Sequence, residues 1–275
     1  MRKIIEIELI KIASYNVFRV LILLHLILFF LVVLVTSQLD ITVPGFSTHN
    51  LYQFPNVWEY FPWVASWFNI LLAIMIIVIT GNEYTYHTFR QHVIDGLSRN
   101  QLLSGKGAVI IITAVYGTLM VFLFSMIFGF IFTRNYTLSV FYEKIYILFV
   151  YFLQAIAYMS LGFFIAVLFR NTGLSITLFI LFRFVIEPVI RLFFPKHIRL
   201  FFPVKVISNL TPVPEFLSIF SGNTEVDNTA VDTYSLREMG ILQEELPILI
   251  NILLAAGYTL LFISLAWFLL RRRNL

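Results

Sequence analysis

This sequence predicts an all-α membrane protein with six transmembrane helices, on three observations. Of its 275 residues, 60% are hydrophobic and 12% charged, against ~45–50% and ~25% in soluble domains. That much apolar surface exceeds what a compact fold of this size can hide from water. The apolar residues also fall in six long runs, each of the ~20 residues that a helix rising ~1.5 Å per residue needs to cross a ~30 Å hydrocarbon layer. Because the runs are continuous and do not alternate, a β-barrel is excluded. A count of 30 Phe, 12 Gly and no Cys removes disordered, collagen-like and disulfide-scaffold chains.

The first charge-free run, residues 20–39, follows Arg2, Lys3, Lys11 and Arg19. It is too long for the 7–15-residue core of a signal peptide, and no small-residue cleavage pattern follows, so it reads as an uncleaved first helix. Residues 1–16 form a cytoplasmic or interfacial segment ahead of it, although Arg2, Lys3, Glu6, Glu8 and Lys11 do not gather on one helical face. His25 is the lone histidine inside a span, and the ordinary role for such a residue is a hydrogen bond between helices.

Residues 38–60 carry the turn formers Pro44, Gly45, Asn50, Pro55 and Asn56. Trp58, Tyr60, Phe61, Trp63 and Trp67 then read as an aromatic belt at the membrane interface. The second run covers residues 60–82, the third 107–133 and the fourth 145–169. A four-residue turn, 169–172, leads to the fifth run, 173–194. The region 194–246 precedes the last run, 246–270.

Lys and Arg set the orientation. With the N-terminus inside, the inner segments hold 11 of the 19 Lys and Arg and the longer outer segments only 6, so both termini are expected in the cytoplasm. Ten of the 15 acidic residues fall outside. The net charge of +4 thus reflects orientation and contact with anionic lipid. Nucleic acid is not implied, because no basic stripe is interleaved with aromatics.

Arg183, Glu187 and Arg191 interrupt the fifth run at i, i+4 and i+8, which places them on one face of an α-helix. Arg183 lies ~15 Å along that helix, near the bilayer centre. A charge there costs ~2.5–3.5 kcal/mol. Glu187 can neutralise the arginines, and the face either lines a pathway or forms a structural intramembrane ion pair. A third reading has Pro188 end the crossing, with Arg191 already at the boundary.

The segment 81–106 predicts a short helix from about Thr85 to Asp95, with Gly96 as its C′ residue and Ser98 as the N-cap of the next. Topology alone accounts for Arg90, Arg99 and Lys106. It does not account for Tyr86, Phe89, Val93 and Ile94 outside the membrane, which suggest a docking surface or an interfacial helix. Glu83, Thr88-x-Arg90, Gly96-x-Ser98-Arg99, Leu102-Leu103 and Gly105-Lys106 resemble the second cytoplasmic loop of the ABC-2 type permeases, the membrane subunits of ATP-binding-cassette transporters. That family commonly has Gly before the Thr, where this chain has His87. The six-span layout is also similar to the family's, from the N-terminal segment to the large outer region before the last helix.

The resemblance implies a single transmembrane permease domain over residues 1–275. The 81–106 loop would carry a coupling helix seated in a groove of a cytoplasmic ABC ATPase subunit, with Glu83, Tyr86, His87, Phe89, Arg90, His92, Asp95 and Arg99 as contacts. Residues 1–16 would lie along the inner leaflet. In the extracytoplasmic region 194–246, pieces near 193–202 and 211–220 would dip into the outer leaflet as re-entrant helices. A second permease chain, identical or related, would complete a dimeric pathway in a bacterial inner membrane. Export is favoured, since the loop lacks the Glu-Ala-Ala…Gly pattern of many importers' permeases.

The chain itself is not expected to be an enzyme. Gly105-Lys106-Gly107 lacks both the earlier Gly and the hydroxyl of a phosphate-binding loop, and neither HExxH nor GxSxG occurs. No cofactor is expected in this chain, and ATP and Mg would sit on the partner subunit. Two rival readings remain: an ATP-independent carrier or channel using the charged face of the fifth helix, and a non-transporting membrane scaffold.

Overall fold

The computed structural model describes residues 2–39, 42–43, 46–134, 137–211, 214 and 246–272. Among them, six stretches are long and apolar enough to cross a membrane: Asn16–Ser37, Val57–Thr85, Arg99–Phe132, Leu138–Phe169, Thr172–Leu192 and Ile248–Arg272. Each contains or overlaps one of the six runs read from the sequence. We label the helices α1 (Arg2–Ser14), α2 (Asn16–Ser37), α3 (Thr48–Leu51), α4 (Val57–Thr85), α5 (Thr88–Ile94), α6 (Arg99–Phe132), α7 (Leu138–Tyr142), α8 (Ile147–Phe169), α9 (Thr172–Leu181), α10 (Glu187–Leu192), α11 (Lys196–Arg199), α12 (Pro203–Ser208) and α13 (Ile248–Arg272). A small antiparallel ribbon pairs Thr42–Val43 with Phe46–Ser47 ahead of α3.

Local chemistry explains where several helices begin and end. The α6 helix starts at Arg99, eight residues before its charge-free run, because Ser98 and Gln101 form a capping box. The Ser98 N–H donates to Gln101 Oε1 at 2.8 Å, and the Gln101 N–H donates to Ser98 Oγ at 3.3 Å. Two orphan backbone donors are satisfied this way. In the tight turn after α8, Arg170 takes a left-handed conformation (φ 55°). Asn171 then caps α9, its Oδ1 accepting from the Leu174 N–H at 3.0 Å.

The α4 and α8 helices form the centre of the bundle and are buried over most of their length; α2, α9–α10 and α13 pack around them and leave apolar faces outward. Without a hydrophobic force between helices in lipid, close backbone approach through small residues supplies the packing energy. A Cβ on Gly162 of α8 would stand 3.1 Å from the Ala73 carbonyl oxygen of α4, and one on Gly81 would stand 2.9 Å from the Thr172 Cα. These contacts set the α4–α8 and α4–α9 spacing.

Two expectations are corrected. The aromatic residues after Pro55 form a packed cluster at the end of the bundle opposite α1, not a lipid-facing belt. Trp58, Tyr60 and Phe61 are buried there with Phe29 and Tyr52, and the Trp58 Nε1–H donates to the Phe141 carbonyl at 2.8 Å. Of the five aromatics only Trp67 is broadly exposed, at 63%. His25 is buried, yet neither ring nitrogen has a hydrogen-bond partner among the described residues. Its ring lies 5.9 Å from that of Tyr116, whose hydroxyl donates to the Ile22 carbonyl at 3.2 Å and makes the link between α2 and α6 in its place.

The two glycine environments predict opposite signs for one substitution. Gly107 of α6 has nothing near its missing Cβ, so Gly107→Ala should raise thermal stability in detergent through helix propensity, by up to ~1 kcal/mol. Gly81→Ala should lower it by ~1–3 kcal/mol through overpacking against Thr172.

Candidate functional site

At the end of the bundle that carries α1, four charged side chains meet below the surface. Lys106, one turn into the apolar stretch of α6, places its Nζ 2.7 Å from Glu8 Oε2 and 2.6 Å from Glu83 Oε1, and Lys11 also pairs with Glu83. Glu8, Glu83 and Lys106 are all buried. Two ammonium groups and two carboxylates balance, which is the condition for keeping charge away from water. Glu8, Lys11 and Ile12 share one face of α1 at i, i+3 and i+4. That helix therefore turns charge inward, and its sequence pattern looks scattered because the partners lie on α4 and α6. Burial, and then the Glu83 carboxylate, hold the Tyr15 hydroxyl between α1 and α2 above its ordinary value.

Between α4 and α6, α5 is a seven-residue helix fixed at both ends. His87 precedes it in a left-handed conformation, φ 54°, where glycine would be unstrained and histidine is tolerated. Gly96, φ 93°, closes it in a Schellman arrangement: the Gly96 N–H donates to the Val93 carbonyl at 3.1 Å and the Leu97 N–H to that of His92 at 2.9 Å. The eight predicted contact residues divide. Tyr86, His87, Arg90 and Asp95 are exposed and His92 is half-buried; Ile94 adds an apolar side chain at 75% exposure.

Three others point elsewhere. Glu83, 1% exposed, belongs to the ion-pair cluster, and Phe89, 2% exposed, packs against Tyr84 with ring centres 4.8 Å apart. Phe89 thus anchors α5 and does not join the apolar surface expected of it. Arg99 Nη1 donates to the Leu270 and Arg271 carbonyls at 2.7 and 2.5 Å, a cation at the C-terminal end of α13.

The charged face expected on the fifth run is broken by its own backbone. Residues Phe182–Ile186 form a π-helical turn, with the Glu187 N–H bonded to the Phe182 carbonyl. That turn lies between Arg183 and Glu187, whereas Glu187 and Arg191 keep their four-residue spacing within α10. Glu187 accepts from the Val204 N–H at 2.8 Å and the Lys205 N–H at 2.9 Å, so it caps α12 and forms no ion pair with either arginine within 4 Å. Gln154 of α8 holds the other end of α12, its Nε2–H donating to the Ile207 carbonyl at 2.9 Å and to Thr211 Oγ1 at 3.2 Å. Both side chains are buried. The expected piece 193–202 contains only the single turn of α11, and 211–220 lies almost wholly outside the described residues.

Arg183 and Arg191, released from Glu187, line a cavity of about 310 Å³ between α4, α8, the π turn and α12. Lys205, Trp63, Trp67 and Tyr158 complete its charged and aromatic walls. The Arg183 guanidinium lies 4.2 Å above the centre of the Tyr158 ring. Gln154 and Lys205 are part of this region without a motif to announce them; an isolated Gln inside an apolar run was the one available signal. Among the described residues, no group of three or more His, Asp or Glu side chains could hold a metal ion. The chain matches no protein-family model and no curated protein.

Two substitutions test this geometry. Lys106→Met leaves two buried carboxylates short of a cation and should cost ~3–5 kcal/mol. Since the chain has no native Cys, crosslinking through Ile12→Cys and Val109→Cys, from one packed cluster, should fall with it; an unchanged yield would show α1 docked without the ion pairs. Glu187→Ala strands two backbone donors and should lower stability by ~1–3 kcal/mol for each, whereas an Arg191→Gln chain should unfold close to the native temperature.

Proposed function

We propose that this chain is the permease half of an ABC-2 type transporter, driven by a separate cytoplasmic ATPase subunit. The observation that carries the reading is α5. It is a short helix between the second and third long helices that is closed by Gly96 and anchored by Phe89, and Tyr86, Arg90, Ile94 and Asp95 on and beside it face outward. An isolated helix of this length is unstable in water, and a rigidly mounted one with exposed apolar and charged residues suits a protein partner.

A push on α5 would travel by packed contacts. Phe89 bears on Tyr84 at the end of α4, and the turn at Gly96 leads into the capped start of α6. The Glu83–Lys106 pair joins those two helix ends, and Glu8 and Lys11 bring α1 into the same unit. ATP binding and hydrolysis on the partner would then tilt α1, α4 and α6 together, giving alternating access in a dimer of halves. The Lys and Arg bias supports a cytoplasmic α5, and the resemblance to the ABC-2 permeases favours a bacterial inner membrane and export. A second reading, an ATP-independent carrier or channel, is favoured by the cavity at the other end, where Arg183 and Arg191 form no ion pair among the described residues.

Mild purification from the native membrane, with the bound chains identified by mass spectrometry, tests the proposal. An ATPase subunit should accompany the native chain and be lost from an Arg90→Glu/Ile94→Asp variant that remains inserted and folded. A native chain that carries no ATPase under conditions preserving complexes would overturn the assignment.

A further inference from the structure

We propose that the cavity between α4, α8, the π turn and α12 binds a phosphate group. The inference stands whether or not an ATPase drives the chain. Three cationic side chains, Arg183, Arg191 and Lys205, line the cavity, and among the described residues no carboxylate does. Among the described residues Glu187 lies beside it, with an oxygen committed to each of two backbone N–H groups of α12. Its single charge offsets part of the positive field but makes no hydrogen bond into the space.

The arginines have donors to spare. Arg183 Nη1 and Arg191 Nε are buried nitrogens with no hydrogen-bond partner among the described residues. Their depth makes this costly. Tyr158, under the Arg183 guanidinium, is eleven residues into α8, or ~16 Å along its axis, where an uncompensated charge is unfavourable. Water can satisfy an N–H there, but it cannot balance the charge. An anion does both, and the planar guanidinium fork matches the oxygens of phosphate. Stacking on Tyr158 holds the Arg183 fork in place. The cavity volume lies at the small end of the range for ligand pockets, enough for one headgroup.

The same chemistry is offered by a lipid phosphate and by free phosphate. The rim favours the lipid. Trp67 and Phe184 both line the cavity and are mostly exposed on the outer surface of the bundle, so an acyl chain attached to the bound headgroup could leave between them into hydrocarbon.

Trp63 and Trp67 supply the readout, being two of the four tryptophans. The purified full chain in neutral detergent is titrated with dioctanoyl phosphatidic acid, with dioctanoylglycerol, which differs only in lacking the phosphate, and with inorganic phosphate. Phosphatidic acid should give a saturable change in tryptophan emission and dioctanoylglycerol none. Arg183→Gln/Arg191→Gln should weaken that binding by about ten-fold or more, the worth of a charged hydrogen bond. Arg183→Lys/Arg191→Lys, which keeps the charge, should weaken it less. Saturation by inorganic phosphate with the same arginine dependence would support the site and identify free phosphate as its ligand. Equal responses to phosphatidic acid and dioctanoylglycerol, no response to either phosphate compound, or full affinity in the folded Gln variant would each overturn the proposal. The comparison of the first two ligands on the native chain needs no variant to fold.

Discussion

Hydrocarbon answers no hydrogen bond and balances no charge, so a polar group below the surface of this bundle is costly unless it is met from within the protein. The Glu83–Lys106 pair is where that constraint shapes the most structure. Lys106 enters the apolar part of α6, and Glu83 leaves the apolar part of α4. Each is tolerable only because the other is there, with Glu8 and Lys11 of α1 completing the balance. The pairing decides where α1 docks and ties three helix ends into one body.

At the opposite end the same constraint is met differently. The described backbone after α10 is not a continuous spanning helix, and α12 packs against α8 and α13 alongside Val150 and Ala255. Its exposed backbone groups are answered by Glu187 at one end and Gln154 at the other. With Glu187 spent on that cap, Arg183 and Arg191 keep unsatisfied donors and a net positive cavity forms. The two ends thus differ in kind: one is internally balanced beside α5, whereas the other holds its scaffold together with a carboxylate that its arginines lack.

What was legible in the sequence followed physical range. Gly96 and Ser98 could be read because a Schellman turn and a capping box involve residues within a few positions of one another. The aromatic residues from Trp58 to Phe61 were misread because an aromatic at a span boundary looks the same whether lipid or Phe141 covers it. Phe89 was placed on the surface for a related reason, since nothing local records that Tyr84 stands over it. The π turn at Phe182–Ile186 interrupts the period-four spacing between Arg183 and Glu187, and nothing local records that two amides of α12 take the Glu187 carboxylate.

The sequence by itself determined the solvent and the number of helices, because burying so many apolar residues needs only length and composition. It also determined the short helix between the second and third spans, whose closure at Gly96 is local. Only the tertiary structure decided which charges pair. Glu8 meets Lys106 across 98 positions, and Glu187 chooses two backbone amides over the arginines beside it. Such choices depend on which helix faces which, and an electrostatic partner is selected by distance in space, for which separation along the chain carries no information.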